Sequence, residues 1–166
     1  MTGRRNLLLA INPLHGVVAW WVYEENTDAA LFAFFVTDIL IPALNNHPRM
    51  TVLWDNLSSH FTGNVAENAL NAAGHRVIAR PSYSPDMAPI ESAFSKVKYW
   101  LRKHNDDICA GNFAAAVEMA VLSITPSDVQ GWFQDCHYYL PGREFRPYMG
   151  MPTYSAPAHK QSFFLF

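Results

Sequence analysis

The chain has 166 residues, of which half are hydrophobic and 14% aromatic, with a formal net charge of −2. That length suits one domain with a single core, and the apolar content excludes a disordered acidic or basic tail. The net charge gives no support to nucleic-acid binding by itself, and no uninterrupted apolar run is long enough to span a bilayer.

Taken in order, the first element is the apolar run Leu7–Ile11, followed by Val17–Tyr23, rich in β-branched and aromatic residues. Asn12-Pro13-Leu14-His15-Gly16 between them is turn chemistry, so the pair predicts a β-hairpin. Arg4-Arg5 ahead of the first run could mimic a secretory signal, but Asn12, Pro13 and His15 interrupt it too early. Asn26 or Thr27 can cap the next element. Leu31–Leu44 is apolar nearly all round, which predicts a helix buried against a sheet with Phe32, Phe35, Val36, Ile39 and Leu40 in the core.

Met50–Trp54 predicts a strand that stops at a polar cluster, Asp55-Asn56-Leu57-Ser58-Ser59-His60. Asp55 therefore stands at a strand's carboxyl end, where open α/β sheets place ligands. Thr62–Ala73 predicts a short helix stopped by Gly74, and His75–Arg80 a short strand ended by Pro81. Strand, helix, strand and helix in alternation imply parallel pairing.

The helix after Pro89 has an apolar stripe of Ile90, Phe94, Val97 and Leu101 beside a polar one of Glu91, Ser95, Lys98 and Arg102. Proline favours the first helical position and disfavours helical dihedrals in the residue before it. Ala88 is thus the expected N-cap, Pro89 N1 and Glu91 N3. Unpaired backbone N–H groups and the helix dipole keep a carboxylate at N3 ionised and ready to bind a cation. Asp55 and Glu91, at the ends of two elements with 35 residues between them, have the look of a metal site split across a fold.

Further on, Asn112–Ile124 is helical in pattern. Thr125-Pro126-Ser127-Asp128 opens another helix with a Thr cap, Pro at N1 and an acid at N3, carrying Val129, Trp132 and Phe133 inward. From Pro141 onward Pro, Gly, Tyr and Ser dominate, which predicts an irregular tail over 141–166 after a domain over 1–140.

Charge is unevenly spread. Residues 1–74 carry three Arg against six acids, 75–104 six Lys or Arg against two, and 105–166 three against six. Positive charge thus gathers beside Glu91, as a phosphate backbone would require, although a solvated helix face reads the same way. Lys96, Lys98, Arg102 and Lys103 are the candidates for phosphate contacts, with surface solubility as the alternative. Cys109 and Cys136 show no Cys-x-x-Cys spacing, which suits reduced thiols in an intracellular compartment. None of the seven His has zinc-finger or His-Glu-x-x-His spacing, and Ser58, Ser59 and His60 lack the Gly-x-Ser-x-Gly elbow of a hydrolase.

Asp55-Asn56 followed by His60, the 35-residue spacing and above all Tyr83-Ser84-Pro85-Asp86-Met87-Ala88-Pro89-Ile90-Glu91 resemble the DDE catalytic domain of mariner-type transposases, in the ribonuclease-H-like superfamily. The resemblance covers residues 4 to about 135. It implies an α/β fold with a mixed sheet and flanking helices, Mg²⁺ or Mn²⁺ as cofactor, DNA as partner, and metal-dependent strand cleavage and transfer. It matches Asp55 to the second catalytic acid and Glu91 to the third, and implies a nuclear location if the host is eukaryotic.

Two departures have consequences. Ala88 stands where the family has Asn, so Ala88→Asn is expected to add a cap and raise the melting temperature. The family's first acid, which would bridge two ions, lies on a strand before the hairpin strands, and no such strand precedes Leu7; Glu24, Glu25 and Asp28 are poorly placed to replace it. The domain is therefore expected to be N-terminally incomplete, inactive alone, and vacant at the centre of its sheet. A non-catalytic remnant that binds nucleic acid or a partner is the alternative. The vacancy could reflect a missing N-terminal segment, close by pairing Leu7–Ile11 with Met50–Trp54, recruit a second chain as in a homodimer, or admit the apolar Phe163–Phe166 segment.

Overall fold

The computed structural model describes residues 6–24, 26, 28–54, 64–79, 88–104, 112–136, 138 and 162–165. Strands β1 (Asn6–Asn12) and β2 (Gly16–Tyr23) form the expected antiparallel hairpin, with a bulge where the register shifts between Ala10 and Ile11. Gly16 turns the chain at φ +77°, and a Cβ there would come within 3.2 Å of Pro126, so the turn needs glycine for both conformation and space.

A helical stretch follows in three pieces, α1 (Ala29–Phe34), a π-helical segment (Phe35–Leu40) and α2 (Ile41–Leu44). Its cap is Asp28, whose Oδ1 accepts from Leu31 N at 2.8 Å, rather than Asn26 or Thr27. The widened turn has a local cause: Pro42 has no N–H to offer the carbonyl four residues back, and its ring crowds that carbonyl. Phe32, Phe35, Val36 and Leu40 are buried as the pattern predicts, whereas Ile39 is only partly buried against the same core and Leu44 is buried beside them.

Strands β3 (Thr51–Trp54) and β4 (Arg76–Ala79) pair in parallel, joined through α3 (Val65–Ala72), which starts later than the composition suggested. Then come α4 (Pro89–Lys103), α5 (Phe113–Leu122) and α6 (Pro126–Asp135). The last strand, β5 (Ser162–Leu165), lies within the segment expected to be irregular. Sheet order is β2-β1-β5-β3-β4, with β5 antiparallel to β1 and parallel to β3. The central position expected to stand empty is thus filled by the chain's own C-terminal segment. Leu7–Ile11 does not pair directly with Met50–Trp54, because β5 lies between them.

Alternation along β1 divides the core. Leu8 and Ala10 join one apolar cluster with the α1–α2 stretch and α3, while Leu9 and Ile11 join a second with α4, α5 and α6. The result is a mixed α/β sheet covered by helices on both faces, the ribonuclease-H-like arrangement that the resemblance implied.

At the amino end of β3 three histidines from separate segments gather. The rings of His15 and His47 lie 4.5 Å apart, and His75, 6% exposed, accepts a hydrogen bond on Nδ1 from Met50 N at 3.2 Å. Arg76 N donates to Met50 O at 2.8 Å, so His75 and Arg76 together fix the start of the β3–β4 pair. Burial, and then the nearby His47, hold both His15 and His75 below the ordinary histidine range. The folded state therefore binds these protons less readily than the unfolded chain. Stability should be complete above the unfolded value of about 6.5 and fall as pH drops through the lower folded values. Protonating Nδ1 would also abolish its bond from Met50. Melting temperatures measured from about pH 7.5 down to about pH 5 should decline, and the slope should flatten in His75→Gln. A flat wild-type profile would contradict this account.

Candidate active site

Two described elements adjoin the candidate residues. One is β3, which ends at Trp54 with its carboxyl end aligned with those of its parallel neighbours β4 and β5. Asp55, together with Asn56, Ser58, Ser59 and His60, lies outside the described residues. The other element is α4, whose start matches the sequence reading: Ala88 is the N-cap, Pro89 is N1 and Glu91 is N3, with Glu91 N donating to Ala88 O at 3.0 Å. Tyr83–Met87, the first part of the motif, again falls outside the described residues.

What holds α4 in place is its apolar face. Ile90, Ala93 and Val97 are buried among Leu9 and Ile11 of β1 and Val117, Ala120 and Phe133 of the later helices. Leu53, two residues before Asp55, packs against this same cluster. The carboxyl end of β3 and the first turn of α4 are thus bound into one apolar core, from which Glu91 projects as an exposed side chain.

The core also overturns the expected effect of Ala88→Asn. Ala88 is only 3% exposed and makes no side-chain cap bond. An Asn there could gain a cap of about 1 kcal/mol. It would have to force a larger, polar side chain into filled space, at a cost of about 1–3 kcal/mol. The melting temperature of Ala88→Asn, read by calorimetry, should therefore fall; a rise would show that the site relaxes enough to admit the cap.

The four basic candidates separate. Lys98, Arg102 and Lys103 are exposed on α4. Lys96 instead pairs with Asp128 of α6. Asp128 closes the capping box predicted from Thr125-Pro126-Ser127-Asp128, accepting from Thr125 N and Thr125 Oγ1 at 2.8 Å each. Burial pushes the Asp128 carboxyl up, but the Lys96 ammonium and the Thr125 bonds outweigh it and hold it below the usual carboxylate range. Lys96 thus fastens α4 to α6. Sequence reasoning missed this because the partner lies 32 residues away with no periodic signal between them.

At 3.6 residues per turn, Lys98 and Arg102 fall within about 20° of Glu91 around the helix axis, about 10 and about 16 Å along it. One exposed face of α4 therefore runs from a carboxylate at its amino end to cations at its carboxyl end. Among the described residues no group of three His, Cys, Asp or Glu side chains could hold a metal, and Asp55 is not among those residues. Nor is any described helix long and apolar enough to cross a membrane.

Comparison with curated proteins gave no match. The family model of the DDE superfamily endonucleases matches residues 2–110, which takes in β1 through α4 and both frames of the site. With that match spanning well over half its length, the chain belongs to the DDE superfamily of endonucleases.

Proposed function

We propose that this is a mariner-type DDE transposase domain that binds Mg²⁺ or Mn²⁺ through Asp55 and Glu91 and engages DNA along α4. The observation that carries the reading is the joint packing of Leu53 and Ile90, which ties the strand leading to Asp55 to the helical turn that presents Glu91. Both acids offer hard oxygen donors, the ligand type these cations prefer. Asp55 and Glu91 would hold such a cation, which would supply activation of the attacking oxygen and stabilisation of the leaving oxygen in phosphoryl transfer. Glu91, at N3, is exposed and accessible; Lys98 and Arg102, in line with it, neutralise phosphates on the flanking DNA.

A second reading, DNA binding without cleavage, draws support from β5. The strand beside β3 in the centre of the sheet reads Ser162-Phe163-Phe164-Leu165 and carries no acidic side chain. On this view the domain retains two of the three acids that a two-ion site needs, and is inactive alone.

Titration calorimetry with Mn²⁺ tests the metal site. Wild-type protein should release or absorb heat with a saturable isotherm that is lost in both Asp55→Ala and Glu91→Ala, with circular dichroism unchanged. An isotherm indifferent to both substitutions would refute the site. Nicking of a supercoiled plasmid in Mn²⁺ then separates the two readings: nicking that depends on Asp55 supports the enzyme, and binding without nicking supports the remnant.

A further inference from the structure

Beyond neutralising phosphates, the face of α4 carries an aromatic ring that the core does not use. Tyr99 is 65% exposed, and no described residue stacks on it. Its neighbour Trp100 behaves in the opposite way, half-buried, packed against the core and stacked on His104 with centroids 4.0 Å apart and planes 19° from parallel. Beside Tyr99 on the helix surface stand Arg102 three residues on and Lys103 four residues on, both exposed, while the exposed Lys98 precedes it about 100° round the axis. Positions three and four apart are surface neighbours on a helix, so the phenol ring is bordered by cations along its own face.

A helix face that only neutralises a duplex backbone needs charge and no exposed ring. A ring flanked by cations suits a strand whose bases are unpaired, because a base can stack on the aromatic plane while its phosphates meet the ammonium and guanidinium groups. We propose that α4 binds unpaired DNA, with Tyr99 as a stacking platform and Lys98, Arg102 and Lys103 as phosphate contacts. This rests on the DNA reading above and narrows it from DNA in general to single-stranded or frayed DNA, such as the ends exposed when strands are cut.

Fluorescence anisotropy with a labelled oligo-dT of about fifteen nucleotides and a duplex of equal length tests it at one fixed salt concentration. Tyr99→Ala should weaken single-strand binding about tenfold and leave duplex binding within about twofold, and Tyr99→Phe, which keeps the ring, should retain single-strand affinity. Lys98→Ala with Arg102→Ala should weaken both. Because Tyr99 is exposed, these variants keep the core intact, which circular dichroism checks. Single-strand affinity unchanged in Tyr99→Ala, or an equal loss for both DNAs, would overturn the stacking role while leaving DNA binding standing. Failure of both DNAs to bind would overturn the DNA reading and this inference together.

Discussion

Replacing Phe164 by proline is expected to destabilise the protein by about 3 kcal/mol or more. Phe164, like Leu165 after it, is paired on both sides, here with Ile11 of β1 and Leu53 of β3. Proline cannot donate to a ladder and is tolerated at strand edges, not in a central strand. The acceptor it abandons is an interior carbonyl, and an unmet buried polar group costs about 1–3 kcal/mol by itself. The larger consequence is topological. If β5 leaves, β1 and β3 lose their common neighbour in the sheet. Holding β5 in place already means closing a connection of 26 residues between Asp135 and Ser162, which costs about 3 kcal/mol in chain entropy. A four-residue strand therefore docks by a modest margin, and one proline is enough to release it. Urea denaturation followed by tryptophan fluorescence should show an earlier midpoint, whereas Phe164→Val, which keeps the N–H, should retain most of the stability. A proline variant that unfolds at the wild-type midpoint would place the C-terminal segment elsewhere.

That strand also marks where the sequence ceases to be legible. The hairpin, α4 and α6 could be read because each is announced by neighbours in the chain: turn residues between two apolar runs, Pro89 fixing N1, and Thr125 and Asp128 answering each other across one turn. The parallel β3–β4 pair followed from the alternation of elements. By contrast Ser162-Phe163-Phe164-Leu165 is too short to show a period, and its partners lie about a hundred residues or more upstream. Only the argument that the centre of the sheet needed a strand brought this segment into consideration. Similar limits explain smaller differences. The burial of Ala88 and the ion pair of Lys96 are set by α5, α6 and β1 closing over α4, and nothing local encodes them. The position of Glu91 was legible because one proline fixed it. Asp55 lies outside the described residues, so the sequence supplies the chemistry of the pair while the described fold supplies its two anchors.

Ile90→Ala should lower stability by about 2–5 kcal/mol, and the contrast with its neighbour separates structure from function. Ile90 is fully buried in the cluster that joins α4 to β1, α5 and α6, so removing its side chain deletes contacts and leaves a cavity that the surrounding helices fill only in part. Glu91 is exposed. Its contribution to the fold is limited to the helix dipole, about 0.3–1 kcal/mol at the surface, and a neutral Gln at N3 keeps the hydrogen-bonding side chain. Glu91→Gln is therefore expected to melt within a few degrees of wild type while losing Mn²⁺ affinity. Ile90→Ala should melt far lower yet, at a temperature where it is still folded, bind Mn²⁺ more weakly only insofar as the first turn of α4 shifts. Measuring both properties in both variants gives a crossed pattern. If Glu91→Gln instead destabilised the protein as much as Ile90→Ala and left the titration unchanged, Glu91 would be a structural residue and the metal site would have to be sought elsewhere. The physical ground for expecting the crossed pattern is that one side chain of this turn is spent wholly on the core and the next is held out of it.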